Sequence, residues 1–260
     1  MEKPVTPSSL EQIRSEIDAV DRAMLELLER RFAAIEAIKA VKQQNSARAA
    51  SPMRPAREAE ILRRLIRLKH GSVPAHLMVR LWRSIFSAAT SIQANVTVHV
   101  AEEVDIDPQL RDMVRDYFAG LLPMRRQPDA REVIEGLSVR ASDVGVVRTN
   151  SDWIAPLLQH RGLKVIGVLP FTGLRKRMPA LLMLGQVKAE PSGDDETLVA
   201  VVPGGNLSAT PLWEATAGDY RCLSLQGFFD EKSPEFVRLK GRGEDAVIVG
   251  RCPCPLEVGA

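Results

Sequence analysis

Between Leu10 and Gln43 the chain has no proline or glycine, and apolar residues fall at Ile13, Ile17, Val20, Met24 and Leu27, then at Ile35 and Ile38. Steps of three and four place them on one face of a long amphipathic helix. Continuing the steps through 27, 31, 35, 38 and 42 brings Arg31 and Lys42 onto the same face. A charge in a core costs several kcal/mol unless it is paired. An apolar stripe with a cation at each end therefore predicts a site for an anion. At ~1.5 Å per residue the helix is roughly 50 Å long, more than a small domain spans, so one chain is not expected to cover its own stripe.

Ser8 or Ser9 suits the cap of this helix. Residues 44–54 read as a polar loop. Pro55 fits the first turn of a second helix, which runs to about Lys69 with Ile61, Leu62, Leu65 and Ile66 inward and ends at Gly71. Pro74 opens a third helix to about Asn95, with Met78, Leu81, Ile85, Ala89 and Ile92 inward and Gln93 four residues beyond Ala89. From Val96 the texture changes. VTVHV, DVGVVRT, KVIGVLPF and ALLMLGQV read as strands, separated by helical stretches at 108–121, 129–138 and 153–161. TLVAVV, YRCLSL and DAVIVG follow beyond the turn-rich EPSGDDE. The pattern predicts a multidomain chain: an all-α three-helix domain over 8–95, an α/β domain over 96–190 and a small α+β unit over 191–260.

Charge sharpens this division. Residues 1–95 hold 16 Lys and Arg against 10 Asp and Glu, and the remainder holds 19 against 23, so a net charge of +2 conceals a basic helical part. No base-reading motif or aromatic stacking platform accompanies the basic part, which points to a small anionic ligand and not to nucleic acid. There is no apolar run long enough for a membrane span, and the first residues lack the apolar core of a signal peptide. Three cysteines, Cys222, Cys252 and Cys254, argue against a disulfide framework and for a reducing cytoplasm. Cys252-Pro-Cys254 has too few companions for zinc. His70, His76, His99 and His160 read as surface or structural, and Gly204-Gly205-Asn206 reads as a plain turn in preference to a phosphate nest.

Arg31 and Lys42 differ by 11 positions, so they share a face roughly 16 Å apart along the axis. Two long side chains leaning inward can hold a compact dianion between them. Arg14 lies ~25 Å from Arg31 along the axis and about 100° around it. It cannot reach the same molecule, so a functional Arg14 must serve a site in a partner chain. Glu58 is in step with Leu62 and Leu65. Together with Arg57 and Gln93 it completes an inward polar set that lacks a nucleophile, a histidine or a metal cluster.

LEQIRSEIDAVDRAMLELLERRFAAIEAIKAVK at 10–42, RPAREAEIL at 54–62 and LWRSIFSAATSIQ at 81–93 resemble the all-helical chorismate mutase domain, often fused to prephenate dehydratase in bifunctional P-proteins. The resemblance implies an intertwined homodimer with shared active sites. It implies chorismate, a dicarboxylate, as substrate, prephenate as product and no cofactor. It makes Lys42 and Gln93 catalytic donors to the breaking ether oxygen and gives carboxylates to Arg31 and the partner subunit's Arg14. Glu58 would accept from the ring hydroxyl, with Arg57 supporting that region. Arg54 stands where the family usually has Asp, adding cationic character, and Ala89 where it has Ser or Thr.

In the second half, DVGVVRTNSD at 143–152 and ALLMLGQVKAEPSGDDETLVAVV at 180–202 resemble degenerate prephenate dehydratase and ACT-like segments. Pro179-Ala180-Leu181 replaces the dehydratase Thr-Arg-Phe, so no dehydratase activity is expected; an aromatic amino acid is the effector class this resemblance implies. Two alternatives remain open: an isochorismate pyruvate-lyase, and a non-catalytic dimeric ligand-sensing protein.

Overall fold

The computed structural model describes residues 9–44, 51–204, 209–240 and 246–258. They fall into two compact units, one ending at Arg48 and the other running from Ala49. In the first, α1 (Leu10–Gln44) is a single unbroken helix. Ser9 closes its start: Gln12 N donates to Ser9 Oγ at 3.3 Å and Ser9 N donates to Gln12 Oε1 at 3.1 Å, a reciprocal capping box. The predicted stripe forms but stays bare. Ile13, Ile17, Val20, Met24, Leu27 and Ile38 are all exposed, Leu27 to 60%, whereas Ile35 is buried. Of the loop expected over 44–54, Gln44 belongs to α1 and residues 45–50 lie outside the described residues, as do Ser8, Gly205 and Asn206.

The second unit opens with α2 (Pro55–Leu68) and α3 (Ala75–Gln93). Pro55 occupies the first turn of α2, and Gly71 takes a positive φ of 96° in the turn that follows. α3 buries the expected Ile85 and Ala89 but turns its buried face further round than expected. Val79, Arg83, Ile85, Phe86, Ala89 and Thr90 are buried, while Leu81 is exposed. The sequence pattern gave weight to Met78, Leu81 and Ile92 and passed over the neighbouring face, because that face carries an arginine.

There follow β1 (Val98–Ala101), α4 (Glu102–Asp105), α5 (Pro108–Phe118), β2 (Met124–Gln127), α6 (Ala130–Val139), β3 (Val144–Arg148), α7 (Ile154–Gln159), β4 (Lys164–Leu169) and β5 (Leu181–Gly185). Beyond them come β6 (Asp195–Val201), β7 (Trp213–Ala217), β8 (Tyr220–Gln226), α8 (Pro234–Lys240) and β9 (Ala246–Pro253). All nine strands join one mixed sheet in the order β2-β1-β3-β5-β4-β9-β6-β8-β7. β1 is parallel to β2 and β3, and β5 runs antiparallel between β3 and β4. β6 lies antiparallel between β9 and β8, with β7 antiparallel on the edge. The C-terminal region is thus a large mixed sheet with α/β character. The strands before residue 190 form one half of it and those after 190 the other.

The halves meet at β4 and β9, which are paired through Val165 and Gly250. Both strands are irregular at this level: β4 shifts register between Val165 and Gly167, and β9 shifts beside Gly250. A Cβ at position 250 would lie 2.5 Å from the Val165 carbonyl oxygen, so only glycine permits this approach. Lys164 Nζ adds a bond across the join, donating to Ile248 O at 2.9 Å. Beneath the join the core is continuous: Val98, Val146 and Leu184 share one apolar cluster with Ala200, Cys222 and Cys252.

Candidate functional site

The expected site residues are divided between the two units. Arg14 and Arg31 lie on α1, Arg14 exposed and Arg31 half-buried, and burial lowers the Arg31 ionisation below its usual range. Lys42 is helical, and its side chain lies outside the described residues. Arg54, Arg57 and Glu58 stand at the start of α2, and Gln93 ends α3.

Within the second unit each of these four side chains has its own partner. Arg54, at the N-cap of α2, donates to Glu190 from the segment after β5, with both side chains largely in solvent. The extra cation is thereby offset by a carboxylate. Arg57 Nη1 meets Glu60 Oε2 at 2.6 Å on the exposed face of α2, a pair worth less than about 1 kcal/mol. Gln93 Nε2 donates back along α3 to Ala89 O at 3.3 Å. No hydrogen bond or ion pair among the described residues joins Arg54, Arg57, Glu58 and Gln93 to one another.

Glu58 points inward, as its spacing predicts, and there it meets a residue that sequence reasoning missed. Its Oε2 accepts from Nη1 of Arg83 on α3 in a short, buried ion pair. Arg83 Nε donates to Tyr117 O at 2.9 Å. The guanidinium lies 3.5 Å from the centroid of the Tyr117 ring, with Phe171 at 5.6 Å and Phe86 at 5.8 Å. Two charges inside a protein are tolerable only when paired and hydrogen-bonded, and stacking on aromatic faces adds cation–π attraction. The signal was present in the sequence: 79, 83, 86 and 90 follow the same steps of four and three that singled out Arg31.

Two further polar groups are buried in the sheet. His99 on β1 sits between Asp143, 3.1 Å from Nε2, and Gln127, whose Nε2 is 2.9 Å from Nδ1. Asp143 Oδ1 also accepts from Thr97 N at 3.1 Å. This chain ties the first three strands together and leaves His99 a structural residue. Glu196 on β6 accepts from Trp213 Nε1 at 2.8 Å and from Ser224 Oγ. Burial pushes its carboxyl up to about 7, against the opposing pull of those donors. Cys222, Cys252 and Cys254 are free and buried. No group of three or more His, Cys, Asp or Glu gathers as a metal site among the described residues. No helix among them is long and apolar enough to cross a membrane.

Residues 13–94 match the family model of chorismate mutase type II. That segment spans α1, α2 and α3 and contains every candidate site residue. A search of curated proteins finds no match. Among solved structures, the chain is similar to one described as "GqqA- a novel type of quorum quenching acylases", at 12% identity and a TM-score of 0.39, over 62% of this chain and 95% of that one. A chorismate mutase type II domain is an isomerase domain, and the match over residues 13–94 indicates an isomerase of that type.

Proposed function

We propose that the chain is a homodimeric chorismate mutase that converts chorismate to prephenate in phenylalanine and tyrosine biosynthesis in the cytoplasm. The observation that carries this reading is α1. Its apolar stripe is exposed along most of its length, two cations fall in step with that stripe, and the family match covers it. A second copy laid against α1 covers the stripe and brings the partner subunit's Arg14 within reach.

Chorismate carries two carboxylates on a flexible frame. Arg31 and the partner subunit's Arg14 hold them through charge-assisted bonds, which confine the substrate to a compact near-attack shape. As the C–O bond breaks, negative charge grows on the ether oxygen. Lys42 and Gln93 donate to it and stabilise the transition state more than the ground state. Glu58 uses Oε2 for Arg83, which leaves Oε1 to accept from the ring hydroxyl. Arg57 and Arg54 add positive potential at the start of α2. None of these steps needs a cofactor.

No dehydratase activity is proposed for the sheet region. The backbone at 179–181 serves the fold: Thr149 Oγ1 donates to Pro179 O at 2.7 Å, Thr149 N to Ala180 O and Ala180 N to Leu169 O. The reading of 191–260 as an ACT-like unit with an aromatic amino acid as effector is supported by the strand order β9-β6-β8-β7, the fourth-first-third-second order of a split βαβ sheet. The ion pair on Glu58 favours a second reading, in which the helical part senses a ligand without turning it over.

Following chorismate absorbance with the full chain tests the proposal. We expect saturable turnover to prephenate, falling about 10²–10³-fold in Lys42→Ala, the usual cost of losing one preorganised donor. Chorismate binding without turnover would overturn it in favour of the sensor.

A further inference from the structure

Beside the join of β4 and β9 lies a pocket of about 100 Å³. Three cations line it from three segments: Lys164 opens β4, Lys188 follows β5 and Arg251 lies on β9. Ile166 and Val187 add apolar walls, and Pro55 and Ala56 border it from the first turn of α2. Among the described residues of the lining the one carboxylate is Glu190, which already accepts from Arg54.

Lys164, Lys188 and Arg251 belong to no ion pair among the described residues. Lys164 Nζ donates to a neutral acceptor, Ile248 O, and the Arg251 guanidinium lies 5.3 Å from the centroid of the Phe228 ring. Neither partner carries a charge. Burial lowers the Lys164 ionisation, Glu231 from outside the lining pulls it up, and Arg251 pushes it down. Lys164 and Arg251 therefore feel each other's charge. Like charges around a pocket with apolar walls concentrate their field inside it, and the repulsion between them is a cost that an anion would offset. The start of α2 adds to this field. Arg54 makes no side-chain cap bond, so the turn that borders the pocket has no acceptor from its own cap.

We propose that this pocket binds a phosphate-class dianion, either the free ion or the phosphate group of a larger molecule. Lys164, Lys188 and Arg251 give its oxygens charge-assisted bonds. Lys164 spends one donor on Ile248 O and keeps two. The size agrees: at ~30 Å³ per water the pocket holds roughly three waters, about the space of one phosphate group, so the rest of a larger molecule stays outside. Charge separates this ligand from a carboxylate, whose single charge would leave two of the three cations unanswered. Lys164 and Arg251 stand on the two strands of the sparse join, so the bound anion also ties the halves of the sheet together. None of the three cations is a proposed chorismate contact, and the site stands independently of the mutase reading.

The test is calorimetric titration of the full chain, in chloride buffer, with inorganic phosphate, glycerol 3-phosphate and acetate. The tighter of the two phosphates should bind once per chain, and acetate at least tenfold more weakly. Tighter inorganic phosphate assigns the site to the free ion, and tighter glycerol 3-phosphate to a phosphate ester. Lys188→Ala and Arg251→Gln should each weaken that phosphate at least tenfold, whereas Arg131→Ala, which removes an exposed cation on α6, should leave it unchanged. A ligand of the folded chain raises Tm, so phosphate should do so in the unsubstituted protein and less in Arg251→Gln. Lys188 is exposed, so an unchanged Tm of unliganded Lys188→Ala should separate lost binding from lost folding. Absence of binding, equal binding of acetate, or affinity unaltered in Lys188→Ala and Arg251→Gln would overturn the proposal.

Discussion

α1 and the nine-stranded sheet are built from the same kinds of apolar residue and treat them in opposite ways. Along β5, Leu181, Leu182, Met183 and Leu184 have no contact with solvent. Along α1, six of the seven stripe residues are exposed and Ile35 alone is buried. The sheet receives helices of its own chain on its faces, and its core is complete within one copy. A helix of 35 residues presents more apolar length than its own chain closes over. In the proposed dimer the stripe is information about assembly, and the sheet is information about folding.

Breaking α1 should accordingly break function while leaving the sheet whole. Ile17→Glu combined with Met24→Glu places two charges in the face that the proposed partner covers, where each lost apolar side chain is worth about 2 kcal/mol. Sedimentation should show the chain pass from dimer to monomer, and chorismate turnover should fall by more than about 100-fold, two decades being roughly 2.7 kcal/mol. Near-ultraviolet circular dichroism from Trp82, Trp153 and Trp213, all in the second unit, should not change. A persisting dimer would mean that the stripe serves another purpose.

The next largest effect belongs to the sheet side. Arg83→Met strands Glu58 without its buried partner and should cost about 3–5 kcal/mol in urea unfolding. Adding Glu58→Gln should return part of that loss. An equal loss in the double variant would show that Arg83 acts through Tyr117 and Phe171 and not through the ion pair.

Glu196 gives a smaller, pH-dependent effect. Its folded carboxyl is raised to about 7 by burial, so between the ordinary carboxyl range and 7 the folded chain holds a proton that the unfolded chain has released. Stability therefore falls as pH rises through that window. The fall should be on the order of 3 kcal/mol and absent in Glu196→Gln, whose amide still accepts from Trp213 and Ser224. Parallel pH profiles for the two proteins would sink this assignment. Least of all, Arg54→Ala removes an exposed pair and should change stability by less than about 1 kcal/mol. It should raise KM for chorismate within about threefold, and an unchanged KM would remove Arg54 from the site.

Six of the helices, α1 to α3 and α5 to α7, and most strands were legible because their periodicity is local. Ser9, Pro55 and Pro74 mark helix starts through chemistry confined to one turn. β2 was not legible: Met124-Arg125-Arg126-Gln127 has no apolar alternation, since an edge strand needs polar side chains to resist further pairing. β7 was hidden by small residues, with Trp213, Ala215 and Ala217 buried in alternation. The Glu58–Arg83 pair was half legible. Spacing turned Glu58 inward, but Arg83 owes its burial to Tyr117 and Phe171, which arrive from α5 and from beyond β4. The steps through 79, 83, 86 and 90 mark the face, but they do not name the aromatic partners, from so far along the chain, that make an arginine tolerable there.

The Val165–Gly250 join gives the sheet an uncommon line of weakness. A sheet ordinarily frays from its outer strands inward, but here the sparsest pairing lies in the middle, with four or five well-laddered strands on either side. Strain on the molecule should tear it along this central seam, much as cloth parts at a line of single stitches. Cys252 and Cys254, buried at the end of β9, lie beside the tear. Their rate of reaction with a thiol reagent would serve as a clock for a separation that begins at the centre of the sheet.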